Sequence, residues 1–200
     1  MIHYLISLDD LQGFEAMLGS SKNKSRYILR AAINNSAKEV KKRLERDAAK
    51  RYAINQGGQA AYRQINKIKK ATIGNLAAIV EAKDGPIELF KYKVNDRTYY
   101  PGGVGAPKQI KAKALKKSPY KPLANPGYKA FVVKYKSGHI SVAERVPGSS
   151  MRGKHKEAIR SLYAISKPKS EETVYKIGIA KDMQDILIKH VQAQMEHFLG

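Results

Sequence analysis

Residues 130–145 read AFVVKYKSGHISVAER, and a Gly-containing break separates them from the apolar block IRSLYAIS at residues 159–166. Phe131, Val133 and Tyr135 alternate with Val132, Lys134 and Lys136, Ser137-Gly138 supplies a turn, and Ile140 and Val142 resume the alternation before Arg145. A period of two on both sides of a Gly-containing turn predicts a β-hairpin that feeds a docked apolar segment. Neither strand carries an evident catalytic group.

The flanking sequence supplies helices and further short strands. Ile2, Tyr4, Ile6 and Leu8 alternate with His3, Leu5 and Ser7, which predicts a half-buried strand. A small helix follows, capped by Asp9 or Ser7 and closed at Gly19. From about Lys22 to Ile54 the apolar residues Leu29, Ile33, Ala37, Val40, Leu44 and Ala48 recur at steps of three or four, the spacing of a long amphipathic helix that would reach ~45 Å. Its other face carries Lys38, Lys41, Lys42, Arg46 and Lys50, and Gly57-Gly58 ends it. Gln59 to Lys70 reads as a second, short basic helix with Arg63, Lys67 and Lys70 around its polar side. Leu76, Ala78 and Val80 form a strand that Asp84-Gly85-Pro86 turns into a second one over Ile87 to Val94, and these two are expected to pair. Residues 95–109, rich in Gly and Pro, read as a flexible loop. Ile110, Ala112 and Ala114 form an edge strand guarded by outward lysines. Thr173 to Ile179 is a candidate strand, and Met183, Ile186, Leu187, His190, Val191, Gln194 and Phe198 line one face of a C-terminal helix.

The sum is α+β, a mostly antiparallel sheet of short strands packed with a long N-terminal amphipathic helix and a C-terminal helix. The expected organisation is a single domain over 1–200: a strand plus helical part at 1–70, a β-rich part at 71–180 with the loop 95–109, and the helix at 181–200. At 42% apolar content, 200 residues are enough for one sizeable core. Thirty-eight Lys and Arg against 17 Asp and Glu leave a formal charge of +21, so polyanions or acidic protein surfaces are natural neighbours. Cysteine is absent, which excludes disulfides and thiolate metal sites and suits assembly in a reducing cytoplasm. No leader-like segment and no run of about 20 apolar residues is present, so neither export nor a membrane partner is expected.

The order of an AF strand, an SGH turn, a strand ending in Arg and a later LYAIS block resembles the phage minor tail protein Z family. At the level of pattern the likeness extends over most of the chain. SLDDLQGFEAML is similar to the family's opening strand and helix, RYILRAAINNSAKEVKKRLERDAAKRYAI to its basic helix, KATIGNLAAIVEAKDGPIELFKY to its strand pair, and QIKAKAL to the strand before the hairpin. The departures are a longer Pro/Gly segment at Tyr99 to Lys108 and LYAIS where relatives have LYG. The resemblance implies a structural virion protein of a long-tailed phage, acting in tail completion at the head-proximal end of the tail tube and in head-tail joining at the neck. It implies no enzymatic activity and no cofactor. The implied partners are copies of the chain in a ring, a hexamer favoured, the tail terminator or tube protein, the head-tail connector and the tape-measure protein, with phage DNA in the lumen. The implied location is the virion, reached from the host cytoplasm.

Several motifs are weighed beside that reading. Leu162, Tyr163 and Ile165 are candidate protein-interface residues, since an aromatic flanked by aliphatics serves as a binding anchor as readily as it closes a core. His139 in the SGH turn joins them, either as a group that orients the hairpin by hydrogen bonding or as an exposed turn residue. Lys38, Lys41, Lys42, Arg46, Lys67 and Lys70 are candidate polyanion contacts or a solubilising surface. A charge-driven nucleic-acid-binding protein is therefore the alternative function. Gly148 to Lys154 matches G-x-x-x-x-G-K, but His155 stands where a phosphate loop needs Ser or Thr for magnesium, and the parallel βαβ pattern is missing. Glu81-Ala82-Lys83 has the E-x-K spacing of some metal-dependent nucleases without a second acid in view, and solvated residues at a strand end explain it. His190 and His197 are seven residues apart, about 10 Å along a helix, too far to share a metal unaided.

Overall fold

In a computed structural model, which describes residues 1–7, 24–55, 58–123, 129–150 and 157–199, the first strand β1 (Ile2–Ser7) buries Tyr4 and Ile6 and turns Leu5 outward, as its alternation requires. The chain is mixed α+β with antiparallel pairing throughout, and its contacts divide it into two compact units. The first comprises Met1–Ala48, Gln59–Asp84 and Lys167–Gly200, and the second Ala49–Gly58 and Gly85–Ser166. The helix expected between Asp9 and Leu18, and the stretch Arg152 to His155, lie outside the described residues.

In the first unit the helix α1 (Ser25–Arg51) buries Ile28, Leu29, Ala32, Ile33, Ala37, Val40, Leu44 and Ala48 along one side. Ser25, Ser36 and Glu45 are buried with them, so the contrast in polarity between its faces is weak. Ser36 meets its need inside the helix by donating to Ala32 O at 2.9 Å. The last turn carries Lys50 and Arg51, cations that suit a helix carboxyl end. Asn34 ties the helix to the following chain through a reciprocal pair: its amide donates to Ala71 O at 3.1 Å and its carbonyl accepts from Ala71 N at 2.8 Å.

A short helix α2 (Gly58–Arg63) precedes β2 (Asn66–Lys69), which pairs with β3 (Ala77–Ala82); β1 pairs with the other side of β3, giving the order β1-β3-β2. The expected basic helix over Gln59 to Lys70 is thus half helix and half strand. The 3–4 spacing of Ala61, Ile65 and Ile68 fits a helix, but pairing with β3 captures the second half, where Asn66 turns inward and Lys67 and Lys69 outward. Thr173 to Ile179, expected as a strand, is also helical. It belongs to α3 (Lys167–Val174) and to a wide turn over Tyr175–Ile179, closed by Ala180 N to Tyr175 O at 3.0 Å. Pro168 sits in the first turn of α3, where its missing N–H removes no helical bond, so it starts a helix there. The last helix, α4 (Met183–Leu199), buries Ile186, Leu187 and Val191 on the expected face, while Phe198 is exposed.

In the second unit the expected strand over Ile87 to Val94 is broken. β4 (Ile87–Glu88) is followed by a tight helical turn at Leu89–Lys91, closed by Tyr92 N to Leu89 O at 2.9 Å, and then by β5 (Lys93–Val94). The turn absorbs the change of phase that puts Ile87, Leu89, Tyr92 and Val94 all inside. Its consequence is that β3 and the strand after it do not pair; β4 instead takes β11 (Tyr163–Ala164). The lysine-flanked strand β6 (Lys111–Lys113) is central, not an edge, lying between β5 and β7 (Lys121–Pro122). Pro122 stands at the edge, where no ladder donor is required.

The hairpin forms as expected: β8 (Ala130–Lys134) pairs with β9 (Ile140–Ser150), Phe131 opposite Ala143 and Val133 opposite Ser141. Tyr135 N donates to His139 O at 2.8 Å and Gly138 N to Tyr135 O at 2.9 Å, with Gly138 at φ 83°, a conformation glycine adopts without strain. Strand β10 (Glu157–Ser161) flanks β9 on its other side. Gly148 to Ser150 continue β9, so the first residues of the G-x-x-x-x-G-K match are strand and not loop. Where one sheet was expected, the strands among the described residues are spread over four antiparallel sheets of two or three. Because Leu44 is wholly buried, Leu44→Ala is expected to lower folding stability by about 3 kcal/mol. A urea titration checks this, with a lower midpoint and an unchanged slope as the expected result.

Candidate functional site: basic groove, buried carboxylates and the hairpin knot

Turns of α1 spaced three and four residues apart place Lys38, Lys41 and Lys42 around a shallow groove of about 360 Å³ whose other lining residues are Glu45 and Ile68. Lys41 is committed to the buried Glu45 at 2.7 Å, and Arg63 stands 4.0 Å from the same carboxylate. Lys38 reaches only the Asn35 carbonyl at 3.4 Å, and neither Lys38 nor Lys42 forms an ion pair with a described residue. Arg46 is spent on its neighbour Asp47 at 2.7 Å. Lys67 projects to the opposite face of β2 from Ile68, opposite Glu81 in register, and Lys70 follows the strand, exposed. The six cations read from the sequence therefore do not form one patch: three converge on the groove, and of those Lys38 and Lys42 offer charge to a partner.

The interface candidates converge at another place. Leu162 packs against Val94, Ile110, Ala130 and Val142; its N–H donates to Val142 O and its carbonyl accepts from Leu89 N, both at 2.8 Å. Leu162 is thus a core-closing residue. Tyr163 pairs with Glu88 and leaves 58% of its surface open, and Ile165 O accepts from the Tyr92 hydroxyl at 2.7 Å. His139 Nε2 lies 2.9 Å from the Glu88 carboxylate, with its ring stacked on Tyr135. The SGH turn and the LYAIS block, 24 positions apart by the numbers of His139 and Tyr163, meet at Glu88.

Glu81 of the E-x-K triplet is taken by Lys69 at 2.5 Å, with His3 3.4 Å away, and the hydrogen bond from Lys69 holds its carboxyl below the ordinary range. His190 bonds Glu39 at 3.0 Å, and His197 touches the ring of Phe198 edge-on. No group of three His, Cys, Asp or Glu side chains placed to hold a metal occurs among the described residues.

The sequence reading missed the buried carboxylates. Glu171 of α3 is wholly buried, and burial, with the charge of Glu45 adding to it, pushes its carboxyl up to about 7 against the lowering effect of the Asn66 hydrogen bond. Asn66 Nδ2 donates to Glu171 Oε1 at 2.8 Å, while Asn66 Oδ1 and Glu171 Oε2 have no hydrogen-bond partner among the described residues. A proton on Glu171 would give its carboxyl a donor that the ionised form lacks. Beside it Ser170 Oγ donates to the Tyr62 hydroxyl at 3.1 Å. The available signal was Pro168, which read as a helix start would have put Ser170 and Glu171 in a first turn. No family model matches the chain, and neither a curated protein nor a solved structure does.

The raised Glu171 value sets a pH dependence. The unfolded carboxyl titrates near 4.5, so between that value and about 7 the folded state holds a proton the unfolded one has lost. Stability is expected to fall by about 3 kcal/mol as pH rises through this window and to level above it. Urea titrations at stepped pH check the fall, and Glu171→Gln, which keeps an amide donor toward Asn66, is expected to flatten it.

Proposed function

We propose that this chain is a non-enzymatic structural protein of a long-tailed phage virion, acting in tail completion at the head-proximal end of the tail tube and in head-tail joining. In this reading copies of the chain form a ring, a hexamer favoured, that meets the tail terminator or tube protein, the connector and the tape-measure protein. The observation that supports it most is the knot at Glu88. The residues carrying the family resemblance, 130–145 and 162–166, meet at Glu88, which bonds His139 and pairs with Tyr163, while Leu162 packs on the core beside the hairpin and Tyr163 is left exposed. An exposed tyrosine on a rigid base is a suitable anchor for subunit contact. Light scattering on the purified chain, alone and with isolated tail tubes, tests the reading. A discrete ring or saturable binding at tube ends is expected, and Tyr163→Ala is expected to weaken that association while leaving the urea midpoint within about 0.5 kcal/mol. A monomer that ignores tubes would sink the proposal.

The second reading, a nucleic-acid-binding protein, is favoured by the groove of Lys38, Lys41 and Lys42. Two phosphate contacts there, by Lys38 and Lys42, would weaken DNA binding about 12-fold between ~50 and ~200 mM salt. Replacing Lys38 and Lys42 by Ala, and sparing Lys41 because it neutralises Glu45, is expected to flatten the log-log salt slope by about two. Fluorescence anisotropy on a duplex oligonucleotide measures both. No helix among the described residues is long and apolar enough to cross a membrane.

A further inference from the structure

Strand β8 is the outermost strand of its sheet, whose order is β10-β9-β8. Which of its backbone groups are open follows from the hairpin. Tyr135 N bonds His139 O, and ladder bonds alternate along an antiparallel pair, so Val133 with Ser141 and Phe131 with Ala143 make the bonds to β9. Val142 agrees with this phase, because its carbonyl is turned away from β8 and accepts from Leu162 N. The N–H and C=O groups of Ala130, Val132 and Lys134 therefore point to the open edge, and no described backbone group bonds them.

Along that edge runs a groove of about 650 Å³. Consecutive residues 129 to 133 line it, as expected of a space beside a strand edge and not above one face of a sheet. Its opposite wall is the loop carrying Tyr99 and Tyr100. That loop is held by Tyr100 Oη to Asp96 Oδ2 at 3.0 Å, Thr98 N to Asp96 Oδ1 at 2.8 Å and Gly103 N to Tyr100 O at 3.0 Å. Gly102, Gly103 and Gly105 adopt φ of 67°, 80° and 79°, a conformation glycine takes without strain. Among the described residues no carboxylate lines the groove, whereas Lys129 and Arg145 do. Arg145 lies over the Phe131 ring at 5.4 Å and makes no ion pair with a described residue.

We infer that this groove receives an extended, acidic segment of a partner protein, which adds as a strand to the edge of β8 and sets a carboxylate against Arg145 and Lys129. The open N–H and C=O groups select a peptide backbone, since only another strand offers both complements at the strand repeat. The cations select acid. A second copy pairing through its own β8 is disfavoured, because residues 129–134 read KAFVVK and carry no carboxylate to set against these cations.

The test uses the full-length chain, labelled for amide NMR, and a soluble peptide of about eight residues alternating glutamate and threonine, long enough to span β8. Binding is expected to shift the amides of residues 98–107 and to protect those of Ala130, Val132 and Lys134 from exchange. The same peptide N-methylated at alternate residues, and a lysine-for-glutamate counterpart, are each expected to bind at least about tenfold more weakly. The N-methylated probe leaves the protein untouched, so its result is independent of any folding defect, and Arg145→Glu tests the charge from the protein side. Absence of binding at millimolar peptide, equal binding of the N-methylated form, shifts confined to the Lys38–Ile68 groove, or tighter occupation of the same amides by an oligothymidylate would each overturn the inference.

Discussion

Carboxylates are scarce in this protein, and where they lie governs much of its internal bonding. With 38 basic and 17 acidic side chains, an acid in contact with the fold rarely lacks a base. Glu45 takes Lys41, Glu39 takes Arg43 and His190, Asp84 takes Lys167, Asp182 takes Arg43, Glu144 takes Arg160 and Glu172 takes both Lys169 and Lys176. Most of these pairs reach the surface, where an isolated pair contributes about 1 kcal/mol or less. Their weight lies where one partner is buried. Glu45 and Glu144 are nearly sealed from solvent, and removing Lys41 or Arg160 would leave a desolvated charge, a change costing about 3–5 kcal/mol when complete.

Glu171 is the exception that explains the rule, because its direct hydrogen-bond partner is an amide and not a base. Lys41 and Lys167 act on it without an ion pair at contact distance, so burial prevails and favours its neutral form. The hydrophobic core of the first unit thus holds two buried acids in different settings, one facing a lysine that still reaches water and one facing an amide, its carboxyl pushed up by burial. The imbalance has a second consequence. Lysines that no described acid neutralises, such as Lys38 and Lys42, remain available to an anionic partner, whatever its class.

Local periodicity carried a large part of the fold. The strand at Ile2–Ser7, the helix at Ser25–Arg51, the 130–150 hairpin and the buried face of the last helix were all readable, because in each the repeat of apolar residues agrees with the backbone that forms. Gln59 to Lys70 failed because its spacing fits two structures and pairing with β3 chose between them. Thr173 to Ile179 failed because β-branched and aromatic residues suggested a strand, whereas the segment winds as a helix and a wide turn that bury Val174 and Ile179. The candidate site was legible in part: three of the six cations share a groove, and His139 and Tyr163 meet at Glu88, a residue that drew no notice in the sequence.

What the sequence by itself determined is the charge excess, the absence of thiols and those elements whose hydrogen bonds and side-chain repeat lie within a few residues of one another. Tertiary structure alone decided that β4 pairs with β11 and not with β3, that β6 is central while β8 is an edge, and that Glu171 is sealed from water. These outcomes depend on contacts between residues as far apart as Asn66 and Glu171. A strand presents the same open N–H and C=O groups to any neighbour, so its partner is chosen by the packing of the whole unit, which no local pattern records.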